Sequence, residues 1–206
     1  MTRWEPNARG RLELAALELY GERGYDQTTV AEIAGRAGLT ERTFFRYFAD
    51  KREVLFYGSG MLQDGLVRGI DDAPAGLSPV DAVCASLEAV ADSLFEERRA
   101  RARQRQAVVA ATPELQEREL IKMATLSMAA ADALRRRGVS DPGASLAAEA
   151  GVAVFRVAFQ RWVGQPGDPG DSSVQTLAQL IRQSLAELKT VTAGAMSADQ
   201  SRPLPR

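Results

Sequence analysis

Residues 38–51, "GLTERTFFRYFADK", concentrate side chains that can contact nucleic acid. They include three phenylalanines, one tyrosine, two arginines and a lysine, in a chain of 206 residues that is only 6% aromatic. Hydroxyls, guanidinium groups and flat rings suit base edges and phosphate oxygens in the major groove of DNA. The candidate contacts are Thr40, Arg42, Thr43, Phe45, Arg46 and Tyr47. The alternative is a solvated helix with scattered aromatics, which is less favourable because large rings would stay in water without a partner.

Two short helices are predicted to position these side chains. Thr29 with Glu32 forms a capping-box pattern that begins a second helix, and Thr40 caps a third. Only "GLT" separates the two helices, and a short link that contains glycine is typical of a helix-turn-helix. Phe44 and Phe48 lie four residues apart on one face of the third helix, so they are predicted to belong to the core.

A cationic residue follows the third helix. Asp50 and Glu53 predict the start of a fourth helix, with Lys51 and Arg52 in its first turn. Positive charge there opposes the helix dipole, and a DNA phosphate would resolve the conflict by binding the lysine together with free backbone N–H groups. The alternative is a lysine that points into water. Residues 36–52 hold five cationic and two acidic side chains, whereas the whole chain has a net charge of −1, so any positive patch is local.

Helical signals extend over most of the sequence, and no segment shows strand-like alternation. These patterns predict an all-α fold. We expect a helix-turn-helix domain over residues 1–50 and a second helical domain over 51–192, with a connecting helix at 51–70. Residues 71–78 are predicted to form a linker because they contain proline and glycine. Residues 193–206 show no periodicity and are predicted to be a disordered tail.

Composition disfavours several kinds of chemistry. The chain has no histidine and one cysteine, so imidazole catalysis and an internal disulfide framework are excluded, and no cofactor or metal is expected. Cys84 lies in an amphipathic helix and is interpreted as a small buried residue. The sequence contains neither a nucleophile motif nor paired carboxylates on an apolar face, so these signs of an enzyme are missing. The sequence lacks a secretory signal pattern and an apolar run of the ~18 residues that a membrane helix needs, so we expect a cytoplasmic protein without a membrane partner.

Residues 18–56, "ELYGERGYDQTTVAEIAGRAGLTERTFFRYFADKREVLF", resemble the DNA-binding region of the tetracycline-repressor (TetR) family of bacterial transcriptional regulators. The resemblance extends from about Arg11 to Phe56. The matching motifs are Gly24-Tyr25, Thr28-Thr29-Val30, Ile33-Ala34, Ala37-Gly38-Leu39, and Tyr47-Phe48 followed by Lys51.

The resemblance implies an all-helical homodimer in which three N-terminal helices bind DNA and a larger domain binds an effector and dimerises. It implies that Thr28 and Thr29 lie near phosphates and that Lys51 contacts one. In the recognition helix it implies contacts from Thr40, Arg42, Thr43, Phe45 and Tyr47. The common family pattern has leucine followed by tyrosine where this chain has Phe44 and Phe45, which removes a hydroxyl that would bind a phosphate.

The second domain carries weaker signals. The eighth helix is rich in small residues and the ninth has a continuous aliphatic face, so both are candidates for a dimer interface. The alternative is that they only close the core of the monomer, and the resemblance implies a four-helix dimer interface. Candidate effector-pocket residues, for which plain core is the alternative, are Leu87, Met123, Leu126, Phe155, Phe159 and Trp162. Arg156 interrupts an apolar stretch and is interpreted as an ion-pair partner of Glu149, or alternatively as a counter-charge for an anionic effector. The arginine-rich run at 96–106 is interpreted as a solvated face, with an entrance for an acidic ligand such as a coenzyme A thioester as the alternative.

These features predict a ligand-responsive transcriptional repressor. Its partners would be double-stranded DNA with a pseudo-palindromic operator, a hydrophobic or amphipathic small-molecule effector, and a second copy of the chain. An effector is expected to lower DNA affinity by shifting the fourth helix. The alternative is a DNA-binding regulator without a small-molecule effector, and an enzyme is the least favoured class.

Overall fold

The computed structural model describes residues 7–95, 98–167 and 174–193, and these residues form helices without any β-strand. A 3₁₀ turn at Glu53–Phe56 lies between the third and fourth α-helices. The α-helices are α1 (Ala8–Arg23), α2 (Val30–Arg36), α3 (Glu41–Tyr47), α4 (Ser59–Asp71), α5 (Pro79–Leu94), α6 (Arg99–Ala111), α7 (Pro113–Arg136), α8 (Asp141–Gly164) and α9 (Leu177–Thr192). The predicted all-α class is confirmed.

Backbone packing divides the chain into two compact units. Among the described residues, the first consists of 7–64 and 98–126, and the second of 65–95, 127–167 and 174–193. This division differs from the boundary expected at residue 50, because α6 and the first half of α7 pack with the N-terminal helices. Val108 and Leu115 are buried in the same cluster as Leu12 and Phe44. Of the tail predicted at 193–206, all residues after Ala193 lie outside the described part of the chain.

The connecting helix predicted at 51–70 is wrong in its first part. Asp50 Oδ1 accepts hydrogen bonds from the backbone N–H groups of Arg52 and Glu53 at 2.8 and 3.2 Å. It thus binds the backbone where the 3₁₀ turn starts, and α4 begins only at Ser59. The buried residues of the turn are consecutive, namely Val54, Leu55 and Phe56. Three consecutive side chains cannot share one face of an α-helix, and glycines at 58 and 60 weaken helix formation further.

Local signals set the N-terminal helices of the first unit. The predicted capping box is present, since Glu32 N–H donates to Thr29 Oγ1 at 3.3 Å and Thr29 N–H donates to Glu32 Oε2 at 2.9 Å. Thr40 caps α3 by accepting a hydrogen bond from Thr43 N–H at 3.2 Å. The two aromatic side chains assigned to the core are both buried, namely Phe44 and Phe48.

Helices α5, α8 and α9 pack against one another in the second unit. Gly151 lets α8 approach α5 closely, because a Cβ at this position would lie 2.3 Å from Val83 Cγ1. Gly65 likewise lets α4 approach α5 closely, because a Cβ at this position would lie 2.6 Å from Val90 Cγ2. Among the described residues, α8 alone is long and apolar enough to cross a membrane by length and composition. Its buried face packs within the second unit, so a role in the core accounts for that composition.

The end of α4 is fixed by two arginines of the second unit. Arg137 Nη1 donates hydrogen bonds to the carbonyl oxygens of Ile70 at 2.8 Å and Ala73 at 2.5 Å. Arg136 forms an ion pair with Asp71 at 2.9 Å. The last carbonyls of a helix have no partner within the helix, and a guanidinium can satisfy several of them at once. The C-terminal end of α4 is therefore anchored to the segment that ends α7.

Candidate nucleic-acid interface

The turn between α2 and α3 depends on a glycine. Gly38 has a φ of 66°, a conformation that costs other residues free energy, and a Cβ there would lie 2.7 Å from Arg11 Nη2. Arg11 donates a hydrogen bond to the carbonyl of Ala37, and Leu39 N–H donates to the carbonyl of Ala34 at 2.8 Å. Together these contacts close α2 and fix the direction in which α3 leaves the turn, which makes the pair a helix-turn-helix.

One face of α3 presents three large side chains to solvent. Arg42, Phe45 and Arg46 are three and four residues apart and therefore lie on one face. All three are exposed, and Phe45 has 55% of its surface accessible. Arg42 has no hydrogen bond or ion pair with any described residue. At the start of the same helix the hydroxyls of Thr40 and Thr43 lie 3.1 Å apart. This face can offer a guanidinium, a ring and hydroxyls to a bound partner.

Tyr47 lies at the end of α3 between two guanidinium groups. Arg46 Nη2 donates a hydrogen bond to the Tyr47 hydroxyl at 3.0 Å, and its Cζ is 4.8 Å from the ring centroid. Arg9 of α1 lies 5.2 Å from the same centroid. The ring is half-buried. Tyr47 therefore orients Arg46 as well as being a candidate contact of its own.

The two threonines assigned to phosphate contacts differ in the structure. Thr28 is only 1% exposed, and its hydroxyl donates to the carbonyl of Gly24 at 2.9 Å. The hydroxyl of Thr28 is therefore engaged inside the protein, where it helps to close the loop between α1 and α2. The predicted contact of Thr28 with a phosphate stays a prediction. Thr29 is exposed at the start of α2, where its hydroxyl donates to Glu32 Oε2 at 2.9 Å.

Lys51 does not project from the start of α4 as expected. Its Nζ donates to the carbonyls of Tyr25 at 2.9 Å and Thr28 at 3.1 Å, and lies 4.2 Å from the centroid of the Tyr25 ring. The Lys51 carbonyl accepts a hydrogen bond from the Tyr20 hydroxyl at 2.7 Å. An ammonium group has three donors, so at most one remains for a phosphate. The sequence-based interpretation missed this internal role because both of its acceptors are backbone carbonyls.

The two tyrosines beside Lys51 keep their protons. Burial raises the pKa of Tyr20 well above its usual value, and burial likewise raises the pKa of Tyr25 to about 12. Their rings pack at a centroid distance of 5.2 Å. At neutral pH the Tyr20 hydroxyl therefore remains a hydrogen-bond donor to the Lys51 carbonyl.

Ion pairs use part of the positive charge found in residues 36–52. Arg36 pairs with Glu22 at 3.0 Å, and Arg52 pairs with Asp50 at 2.7 Å. Hydrogen bonds from these arginines lower the pKa values of both carboxyl groups. The cations of this segment that have no carboxylate partner among the described residues are Arg42, Arg46 and Lys51. The positive charge available to DNA is therefore concentrated on α3 and the residues that follow it.

The residues assigned to an effector pocket fall into both units. Leu87 is fully buried in the second unit, which also holds a cluster of four rings with neighbouring centroids 5.8–6.3 Å apart. The cluster consists of Phe95, Phe155, Phe159 and Trp162. Met123 and Leu126 instead line a concavity of the first unit. The sequence analysis missed Phe95, although its position four residues after Ala91 continues the buried face of α5.

Arg156 does not form the predicted ion pair with Glu149. Both side chains are exposed on α8, and no ion pair joins them. Residues seven apart share a helix face, but they are separated by about 10.5 Å along the axis, whereas ion pairs on helices form between residues three or four apart. The exposure of Arg156 also gives no support to a counter-charge within the ring cluster.

The arginine-rich run is a solvated face only in part, since Arg98 and Arg103 are exposed but Arg99 and Arg105 are not. Arg99 is only 4% exposed. Arg105 pairs with Glu119 at 2.9 Å, donates to the carbonyl of Leu55 at 2.8 Å and lies 4.8 Å from the centroid of the Phe56 ring. Because Leu55 and Phe56 belong to the 3₁₀ turn, Arg105 of α6 holds the turn that follows α3.

Comparison with known families agrees with this architecture. Residues 14–57 match the family described as bacterial regulatory proteins, tetR family. Residues 77–193, more than half of the chain, match the MftR C-terminal domain. The protein therefore belongs to the tetR family of bacterial regulatory proteins. Its C-terminal part is a domain of the MftR type. The family consists of regulators, which confirms the expectation that the protein is not an enzyme.

Individual relatives match over shorter stretches. The HTH-type transcriptional regulator TcmR of Streptomyces glaucescens is 37% identical over 82 residues, which cover 40% of this chain and 36% of TcmR. MftR of Mycobacterium tuberculosis is 35% identical over 104 residues, which cover 49% of this chain and 50% of MftR. The chain thus spans between about a third and a half of the length of these curated relatives.

A solved structure shares the fold over the whole chain. SmeT, the repressor of the Stenotrophomonas maltophilia multidrug efflux pump SmeDEF, has been solved in complex with triclosan, with a TM-score of 0.57 and 21% identity over 97% of this chain and 99% of SmeT. At this identity the likeness concerns the fold alone.

Replacing Lys51 tests its internal role. We expect Lys51→Met to lower the free energy of unfolding by ~1–3 kcal/mol, because two carbonyl groups lose their hydrogen-bond donor. Urea denaturation measures the change. The matched control is Arg42→Met, which removes a cation without a partner and should leave stability nearly unchanged. Equal stability of the Lys51 variant and the wild type would restore the original view of a lysine free to bind phosphate.

Proposed function

We propose that the protein is a sequence-specific DNA-binding regulator of transcription and that α3 reads the operator. It acts as a repressor that a small hydrophobic or amphipathic ligand releases. The observation that carries the DNA-binding part is the exposed face of α3, where Phe45 faces solvent and Arg42 and Arg46 have no carboxylate partner among the described residues. Membership of the tetR family supports the regulatory role.

The side chains of this face take different parts in the proposal. Arg42, near the N-terminal end of α3, contacts a base edge, since arginine forms bidentate hydrogen bonds with guanine. Phe45 lacks a hydroxyl and makes an apolar contact, for instance with a thymine methyl group. Thr29 and the remaining donor of Lys51 bind phosphate oxygens. The other contacts come from Thr40, Thr43, Arg46 and Tyr47.

Arg42→Ala tests the assignment of a base contact. We expect it to relax the preference at one base pair in each half-site by ~1–3 kcal/mol, because a bidentate contact is lost. Selection from random DNA followed by binding titrations measures this change. The control is Arg182→Ala in α9, whose arginine pairs with Glu88 and which should leave the selected motif intact. Recovery of the same motif by the Arg42 variant would refute the assignment.

We also propose that the operator is pseudo-palindromic because the protein binds it as a homodimer. One short recognition helix contacts only a few base pairs. Two such helices related by a twofold axis contact twice as many. The exposed side of α8 carries Leu146, 72% exposed, and Val157, 43% exposed. They are eleven residues apart, about three turns, and lie on one face together with Ala150 and Ala153. This face of small and aliphatic side chains suits close packing against a second copy.

Leu146→Asp tests the dimer. A carboxylate in the apolar interface has no partner there, so we expect the dimer to dissociate at micromolar concentration and operator affinity to fall. Sedimentation velocity measures the oligomeric state. The control is Leu120→Asp, a similarly exposed leucine of α7, which should leave the dimer intact. If only Leu120→Asp dissociated it, the interface would involve α7 instead of α8.

For the effector, we propose the ring cluster of Phe95, Phe155, Phe159 and Trp162 in the second unit. Rings offer a large apolar contact area to a hydrophobic ligand, and Phe95 and Phe159 remain half-buried, which leaves access from solvent. The binding of triclosan by SmeT shows that a protein of this fold can hold a small molecule. The alternative is a regulator without an effector, and the mutual contacts of the four rings favour it, because they already fill the centre of the cluster.

Calorimetry separates the two alternatives. An effector should weaken operator binding by ~1–3 kcal/mol, or roughly 5–150-fold, and the operator must weaken effector binding by the same factor. Hydrophobic compounds are titrated into the protein with and without operator DNA, and Phe159→Ala should remove their binding while leaving affinity for DNA unchanged. Equal affinities for a bound compound in the two titrations would favour the regulator without an effector.

A further inference from the structure

The first unit contains an open concavity of about 740 Å³ that is separate from the ring cluster. It lies between the end of α3, the 3₁₀ turn, the start of α4 and the first half of α7. We propose that this concavity is a second small-molecule site and that it takes an amphipathic organic anion. The proposal does not depend on the effector site of the second unit.

The walls expose apolar side chains to water. Met61 of α4 is 43% exposed and Ile121 of α7 is 46% exposed, and both line the concavity. The rings of Tyr47, Phe56 and Tyr57 also contribute to its surface. A volume of this size lies within the range of sites that hold small organic molecules. Covering the exposed methionine and isoleucine would remove apolar surface from water, which favours a ligand with an apolar body.

The polar part of the lining has an excess of positive charge. Four cationic and three acidic side chains line the concavity. Arg52 is neutralised by Asp50, whereas Arg118 and Lys122 share the single carboxylate of Glu53. Asp64 is exposed and offsets one further positive charge. Summed over the seven groups the excess is one positive charge, which an anion with a single charge would balance.

Arg9 is the group best suited to meet that anion. Its guanidinium lies 5.2 Å from the centroid of the Tyr47 ring and 5.4 Å from that of Tyr57. It has no carboxylate partner among the described residues. Two rings hold the guanidinium in place while its N–H donors remain available. A carboxylate or sulfonate can therefore bind Arg9 without breaking an existing ion pair.

The carboxylate of Glu53 does not compete for this position. Burial disfavours its charged form, but hydrogen bonds from Arg118 and Lys122 outweigh burial and keep the pKa of Glu53 below its usual value. Glu53 is therefore ionised at neutral pH and occupied by its two partners. An anion that entered the concavity would find Arg9 free and the other cations engaged.

The inferred ligand therefore has one anionic group and an aliphatic or aromatic body. A DNA phosphate shares the negative charge but has no apolar part to cover Met61 and Ile121. The ligand would touch Tyr47, the residue that orients Arg46 at the end of α3. Binding at this concavity would accordingly involve a side chain of the recognition helix directly.

The test uses decanoate as the probe, in isothermal titration calorimetry of the full chain without DNA. We expect decanoate to bind, and decyltrimethylammonium and inorganic phosphate to bind much more weakly. Arg9→Gln should lower the affinity for decanoate about tenfold, as for a lost hydrogen bond to a charged group. Ile121→Glu should lower it at least as much, because it places a like charge on the apolar wall.

Matched controls locate the site. Leu120→Glu changes the neighbouring exposed residue of α7, and Arg68→Gln removes an exposed cation of α4; neither residue lines the concavity, and both variants should bind decanoate as the wild type does. Loss of binding in Phe159→Ala alone would assign decanoate to the ring cluster and overturn the proposal. So would equal losses in Ile121→Glu and Leu120→Glu, comparable binding of phosphate or of the cationic probe, or no binding of decanoate. Should Ile121→Glu fail to fold by circular dichroism, the probe series and Arg9→Gln still decide the question. Because DNA is absent, a failure here is distinct from a failure of the proposed regulatory function.

Discussion

The ammonium group of Lys51 fixes the loop between α1 and α2, and the recognition helix depends on that loop. The side chain joins the carbonyls of Tyr25 and Thr28 in the loop, and the Lys51 carbonyl is held by the Tyr20 hydroxyl of α1. The segment that follows α3 is thereby tied to the segment that precedes α2. Since Gly38 fixes the angle between α2 and α3, any movement of this loop would carry both helices with it. The contacts of Lys51 therefore help to position α2 and α3.

The sequence was sufficient wherever the determining interaction is local. The capping box of Thr29 and Glu32, the cap at Thr40 and the glycine of the turn each act within four residues, and all were identified from spacing alone. The internal contacts of Lys51 were not identified, for the opposite reason. Its acceptors are the backbone carbonyls of Tyr25 and Thr28, 26 and 23 residues away in the sequence, and a backbone carbonyl leaves no signal in the sequence. The exposed face of α3 could be predicted because its side chains make few contacts with distant parts of the chain.

Arginines show the same limit in another way. The spacing of the run in α6 contains no sign that Arg99 would be buried or that Arg105 would hold the 3₁₀ turn, because which side of a helix another element covers is decided by tertiary packing. Arg156 shows that sharing a helix face is insufficient for an ion pair when the residues are two turns apart. The interruption of the predicted connecting helix has a related cause. Three consecutive residues there are buried in the core, and an α-helix cannot bury three consecutive side chains on one face.

Polar contacts hold both ends of the segment from the 3₁₀ turn to the end of α4. In the first unit, Glu53 of the 3₁₀ turn is bound by Arg118 and Lys122 of α7. In the second, Arg137 binds the final carbonyls of α4. The chain from the turn through α4 is thus attached to the α7 segment at each end. Charged hydrogen bonds of this kind are stronger than neutral ones but depend on geometry. A rotation of α4 against α7 must therefore stretch one attachment or the other, whereas a movement of both helices together stretches neither.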